Sequence, residues 1–214
     1  MRLRLHATTL LAFSLALLTT ACNKKAATAP NFAAAINAYY QAHPVCLWSS
    51  PKQFPVQVDP DDAAPYDALV DQGLLTRTTS EKKVIIVSKR ENNYDLSSAG
   101  RSAWTADPNQ PGYGNFCYGH GFVGTIDSTS SVAGSSYQPG AAVTVHYHYT
   151  ISDVPAWANA GETKTAFPEI QSAGSSDPAT ATLTDTAQGW QVTAISNPPD
   201  TANPPDTSDN PITP

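Results

Sequence analysis

Nine consecutive residues, Val143-Thr144-Val145-His146-Tyr147-His148-Tyr149-Thr150-Ile151, are β-branched, aromatic or imidazole-bearing. Such a run favours a pleated, half-buried surface over a helix, because the branched and ring side chains lose rotamer freedom against a preceding helical turn. Strand periodicity places Tyr147 and Tyr149 on one face and His146 and His148 on the other. The tyrosine face is the one expected to be buried. Three further runs read as strand partners, Phe116 to Ile126, Thr180 to Thr186 and Gly189 to Ile195, the last two joined through Ala187-Gln188-Gly189. Together they predict a mostly antiparallel four-stranded sheet in the second half of the chain.

The first half reads differently. Asn31 to His43 is alanine-rich, starts with a capping-type Asn, repeats apolar residues at Phe32, Ile36, Tyr39 and Tyr40, and stops at Pro44. This spacing predicts an amphipathic helix. A second helix is expected from Asp62 to Leu75, with Tyr66, Leu69, Val70 and Leu74 on one face and Gly73 near its end. Val84-Ile85-Ile86-Val87 reads as a strand, Val154-Pro155-Ala156-Trp157-Ala158 as a helical or turn insertion, and Trp104 to Phe116 as a Pro/Gly/Asn-rich loop. With 18 prolines and 12 glycines in 214 residues, many turns and irregular stretches are expected rather than a helix bundle or coiled coil. The fold class is therefore α+β, with N-terminal helices and a hairpin followed by the sheet.

The extreme N-terminus carries a different signal. Arg2 and Arg4 precede an apolar stretch from Leu10 to Leu18, which leads into Thr19-Thr20-Ala21-Cys22. A basic start, a short apolar middle and a small-residue junction form a secretory signal, and the apolar run falls short of the roughly 20 residues that span a bilayer. Thr19-Thr20-Ala21-Cys22 resembles the lipobox of bacterial lipoproteins, although Thr19 stands where that pattern usually has Leu. The resemblance implies that residues 1–21 are removed and that Cys22 becomes the acylated, palmitate-type first residue. Its partner is then the membrane itself, with two or more chains anchoring firmly. Asn23, rather than Asp, implies sorting to the outer membrane, facing the periplasm.

If Cys22 carries lipid, Cys46 and Cys117 remain as one pair in an oxidising compartment. The count then closes on a single disulfide between them, against the alternative of two buried thiols. Residues 22–31 read as a flexible tether, 32–196 as one α+β domain, and 197–214, with Pro198-Pro199-Asp200 and Pro204-Pro205-Asp206, as a disordered Pro/Asp-rich tail. Over residues 69–104, a helix ending in Gly73-Leu74-Leu75, then a hairpin, then Tyr94-Asp95-Leu96-Ser97 loosely resembles the wing region of winged-helix domains. Only that helix-then-hairpin topology is carried over.

Formal charge is −6, so a broad electrostatic grip on nucleic acid is not expected. Residues 76–101 run against this trend, with Arg77, Lys82, Lys83, Lys89, Arg90 and Arg101 against Glu81, Glu91 and Asp95, net +3. The region reads as a solvated hairpin, or alternatively as a basic contact face for phospholipid, lipopolysaccharide or an acidic partner.

Catalytic signals are few. Gly-x-Ser-x-Gly is absent, Ser128 to Ser131 and Ser135-Ser136 read as loops, and Asp59, Asp61 and Asp62 read as a helix-capping cluster. Gly112-Tyr113-Gly114 lacks the strand-then-helix setting of a phosphate loop. No catalytic residue or cofactor is nominated. A His-x-His pair on a strand can chelate zinc or copper, so His146 and His148, with His120 from a neighbouring strand, form the one candidate metal cluster. Two functions follow: a non-catalytic envelope component that binds a protein or cell-wall partner, or a metal-binding protein or metal-dependent enzyme using those histidines.

Overall fold

The computed structural model describes residues 25–84, 87–131 and 140–196. The expected signal peptide, Cys22, the start of the tether, Ser135-Ser136 and the C-terminal tail lie outside the described residues. Among the described residues, no helix is long and apolar enough to cross a membrane.

Helix α1 spans Ala29–Ala42. It starts within the segment read as tether, because Pro30, with its fixed φ and no N–H to satisfy, suits a first helical turn. Phe32, Ile36 and Tyr40 recur every four residues and are buried. Next come short strands β1 (Val45–Cys46), β2 (Lys52–Gln53) and β3 (Val56–Val58), and a one-turn 3₁₀ helix over Pro60–Asp62. Helix α2 covers only Ala64–Asp71, shorter than the spacing predicts. Gly73 at φ 70° ends it, and Leu75 already belongs to a strand.

Strands β4 (Leu75–Val84) and β5 (Val87–Leu96) form an antiparallel hairpin, and β3 adds to its base in the order β3-β5-β4. The Val84-to-Val87 run is thus not a strand of its own. Val84 and Val87 are the outermost described pair of the hairpin, and residues 85 and 86 lie outside the description. Helix α3 (Ser98–Ala103) follows, capped where Ser97 Oγ accepts from the Gly100 N–H at 2.8 Å.

The second half is dominated by β7 (Tyr113–Ser131), β8 (Ala142–Ser152), β9 (Asp177–Thr186) and β10 (Gly189–Ser196), antiparallel throughout. The sheet is larger than the expected four strands. Strands β1, β2 and β6 (Trp104–Ala106) also pair with β7, making seven. These three are two or three residues long, too short for alternation to register in a sequence. Strand β7 is long enough to serve two sets of partners: residues up to Gly119 pair with β1, β2 and β6, and those from His120 onward pair with β8. Ser128 to Ser131, read as loop, are the end of β7. The insertion after β8 holds 3₁₀ turns at Ala156–Asn159 and Pro168–Gly174 flanking helix α4 (Gly161–Ala166).

Alternation along β8 is realised. Val143, Val145, Tyr147 and Tyr149 are buried, whereas His146 is exposed and His148 is half-exposed. The buried face of β7–β10 is covered by α1, whose Phe32 meets Trp190 edge-on with ring centroids 4.9 Å apart. Fully buried aliphatic side chains such as Ile36 and Leu183 contribute about 1.5–3 kcal/mol each. A register shift around Gly124 frees the Val123 N–H, which donates to Asn37 Oδ1 of α1 at 2.8 Å. Helix and sheet are so close at Gly121 that a Cβ there would sit 2.7 Å from the Tyr40 ring. A second core surrounds Leu47, Leu69, Tyr94, Phe116 and Ile170, between the hairpin, α2 and the first half of β7.

Candidate functional site

His146 and His148 share the outward face of β8, as strand periodicity requires, and each is engaged separately, while His120 on β7 makes no hydrogen bond through its Nδ1. His146 Nδ1 lies 3.0 Å from Thr180 Oγ1 on β9, and His148 Nδ1 lies 2.8 Å from Asp127 Oδ2 on β7. His120 pairs with Ser152, four positions along β8 from His148, roughly 13 Å at strand rise. The Asp153 carboxylate lies 3.9 Å from the His120 Nδ1, outside hydrogen-bond reach, and that nitrogen is buried without a hydrogen-bond partner. Among the described residues, no group of three or more His, Cys, Asp or Glu side chains is arranged to hold a metal. The face around these rings is hydroxyl-rich, with Thr144 opposite Thr182, Thr180 opposite His146 and Thr184 opposite Ala142, and Phe122, opposite Thr150, is half-exposed upon it.

A concave site forms elsewhere, where the end of α1 meets β1 and β7. The cleft has a volume of about 590 Å³, within the range of small-molecule and peptide-anchor sites. Its walls come from three stretches of chain: Tyr39 to Ser49 with Pro51, the segment Thr105 to Pro108, and Gly114, Asn115 and Cys117 of β7.

Local chemistry explains each wall. Pro44 stops α1, and the ring of the preceding His43 stacks on Tyr39 with centroids 4.0 Å apart while its Nδ1 lies 2.8 Å from the Tyr39 carbonyl. The chain then enters β1, where Cys46 faces Cys117 across the ladder and the two are joined by a disulfide. Trp48 is held on both sides by one amide: its N–H donates to Asn115 Oδ1 at 3.2 Å, and Asn115 Nδ2 donates to its carbonyl at 2.6 Å. Its indole sits among Phe54, Tyr66, Trp104, Phe116 and Phe167, all within 6.5 Å of centroid separation. Asp107 accepts from the N–H groups of Asn109 and Gln110 at 2.7 and 2.9 Å, which shapes the opposite loop. At Gly114 a Cβ would lie 2.4 Å from the Trp104 indole nitrogen, so that wall closes only over glycine.

Tyr40, at the back of the cleft, links it to the main core, with its hydroxyl 2.6 Å from that of Tyr147. Burial pushes both phenols above the ordinary tyrosine range; the shared hydrogen bond raises Tyr40 further and opposes part of the shift at Tyr147. Both stay neutral at physiological pH. Asn115 and Asp107 are thus engaged in holding the walls. What the cleft offers an occupant is rigid aromatic and apolar surface, with the His43 ring and the Ser49 hydroxyl as polar handles.

In the sequence Tyr39 reads only as part of an apolar helix face, and no local pattern marks His43, Trp48 or Asn115 as site residues. The available signal was two tryptophans, Trp48 and Trp104, set in Pro/Gly-rich surroundings, one of them two residues from a cysteine. Compared with protein-family models, curated proteins and solved structures, the chain finds no match.

Proposed function

We propose that the chain is a lipid-anchored lipoprotein of the bacterial envelope, attached through Cys22, facing the periplasm from the outer membrane, and acting by binding a protein or cell-wall partner rather than by catalysis. The observation that carries the binding half is the cleft beside the Cys46–Cys117 disulfide. Its walls are largely aromatic and apolar, Asn115 and Asp107 are engaged in holding its shape, and its backbone is pinned by a covalent bond. A site of this kind recognises a partner by apolar burial and shape. The anchoring half rests on the basic start, the short apolar run and the Ala21-Cys22 junction, with Asn23 supporting the outer membrane.

The test is site-specific photo-crosslinking in the intact envelope. A photoreactive residue at Ser49, in the cleft wall, is expected to capture one discrete partner, while the same residue at Thr182, on the hydroxyl-rich sheet face, captures none. Equal capture from both positions, or capture from Thr182 alone, would contradict the assignment of the cleft.

A further inference from the structure

We propose that the cleft beside the Cys46–Cys117 disulfide receives an arginine side chain of a protein partner. The proposal rests on the cleft-binding reading above and deepens it by naming what the partner inserts.

The sign of charge is the first selector. No lysine or arginine lines the cleft, and Asp107 is its one carboxylate. The wall segments offer no other formal charge: residues 39–51 hold no Lys, Arg, Asp or Glu, and residues 105–117 hold only Asp107. Lys52, the next residue along, stands outside the lining. From residue 102 to residue 196, the stretch that builds the main sheet, Lys164 is set against seven acids, so that half of the chain attracts cations and repels anions.

Hydrogen-bonding polarity points the same way. Asp107 shapes its loop through Oδ1 alone, which accepts both N–H groups, while Oδ2 takes no hydrogen bond among the described residues. His43 Nδ1 lies 2.8 Å from a carbonyl oxygen, which can only accept, so Nδ1 carries the hydrogen and Nε2 of the neutral ring is an acceptor. Asn115, the one side-chain amide in the lining, is turned to Trp48 at both ends. The uncommitted groups, Asp107 Oδ2 and His43 Nε2, are therefore both acceptors. A guanidinium, with five donors and no acceptor, complements them, whereas a carboxylate or phosphate complements neither. A sugar presents acceptors beside its donors, and the amide that would serve those acceptors is already committed.

Ring surface selects the shape. Tyr39 and Trp48 are half-buried in the walls, and a planar, weakly hydrated guanidinium stacks on such rings where a compact, strongly hydrated ammonium does not. The methylene stem of an arginine suits the apolar surface that Pro44 and Pro51 add.

The experiment uses the chain of residues 23–214, since both cores draw on no residue before Phe32. The probes are N-acetyl-argininamide and N-acetyl-citrullinamide, which share a shape and differ in charge. Titration followed by amide shifts in nitrogen-labelled protein should move Ser49, Asn109 and Gln110, with a dissociation constant of about 1 mM for the arginine derivative, as its size allows. The citrulline derivative should bind about tenfold more weakly, because it keeps the stem and loses the attraction to both rings and carboxylate. Asp107→Asn keeps Oδ1 as the acceptor for its loop and removes only the charge, so arginine affinity should fall about fivefold. Asp71→Asn, exposed on α2 and outside the lining, should leave it unchanged. Equal affinity for the two probes, no binding of the arginine derivative, or full affinity in Asp107→Asn would overturn the proposal; the two-probe comparison on the parent chain needs no variant to fold. Photo-capture from Ser49 tests the cleft-binding reading separately, because it does not depend on which side chain enters.

Discussion

The Tyr40–Tyr147 contact makes a demanding prediction, because it joins the helix to the sheet through two buried hydroxyls 2.6 Å apart. Replacing Tyr147 with Phe keeps the ring and its packing against Tyr149 but leaves the Tyr40 hydroxyl without its partner in a site that water does not reach. An orphaned buried polar group costs about 1–3 kcal/mol. At about 2–4 °C per kcal/mol for a domain of this size, the melting temperature should fall by roughly 2–12 °C. Tyr40→Phe should cost a similar amount. The double variant removes donor and acceptor together, leaves no polar atom unpaired, and should therefore be no worse than either single variant. Urea unfolding followed by tryptophan fluorescence closes the double-mutant cycle, with a coupling of at least about 1 kcal/mol expected. Costs that simply add in the double variant would refute the reasoning, since the hydroxyls would then be satisfied independently.

Other outcomes follow from the same geometry. Cys117→Ser opens a bridge between residues 71 apart in sequence and should remove about 4 kcal/mol, lowering the melting temperature by roughly 8–16 °C; two labelled thiols in denatured, unreduced wild-type protein would contradict the bridge. His146→Gln and His148→Gln should each stay within about 0.5 kcal/mol, whereas Tyr149→Ala should cost on the order of 2–4 kcal/mol, and denaturant midpoints more sensitive to the histidines would reverse the two faces of β8. Alkaline titration should show Tyr40, Tyr94 and Tyr147 resisting ionisation, Tyr94 being pushed up to about 12 by burial and by its bond to Asp67. Because their folded values lie above the ordinary value near 10, their stabilising contribution is intact below that pH and is lost as pH rises past it. Phenolate absorbance from all nine tyrosines near pH 10 with the fold retained would contradict this.

Strand β8 was legible because every second residue from Val143 to Tyr149 faces one continuous core, and a period of two survives any detail of packing. Helix α1 was legible for the parallel reason at period 3.6. The disulfide was read from a count rather than from geometry, and the structure joins the same two cysteines. What escaped was set by partners distant in sequence. Strands β1, β2 and β6 exist because β7 offers them a ladder, not because two or three residues prefer to be extended. The end of β7 is strand despite the serines from 128 to 131 because β8 continues opposite them. The shared face of His146 and His148 followed from alternation, but their separate engagement by Thr180 and Asp127, and the placing of His120 opposite Ser152, depend on register, which a single strand does not reveal. The cleft needed three segments, from residues 39 to 117, to be brought together, and no local pattern in any of them encodes that meeting.

We propose that this fold works while tethered to a membrane through its own N-terminus. Mass spectrometry of the intact mature chain, extracted from envelopes in detergent, tests it most directly. The first residue should be Cys22, carrying the mass of two or three fatty acyl chains. An N-terminus at any other residue, or an unmodified Cys22, would contradict it.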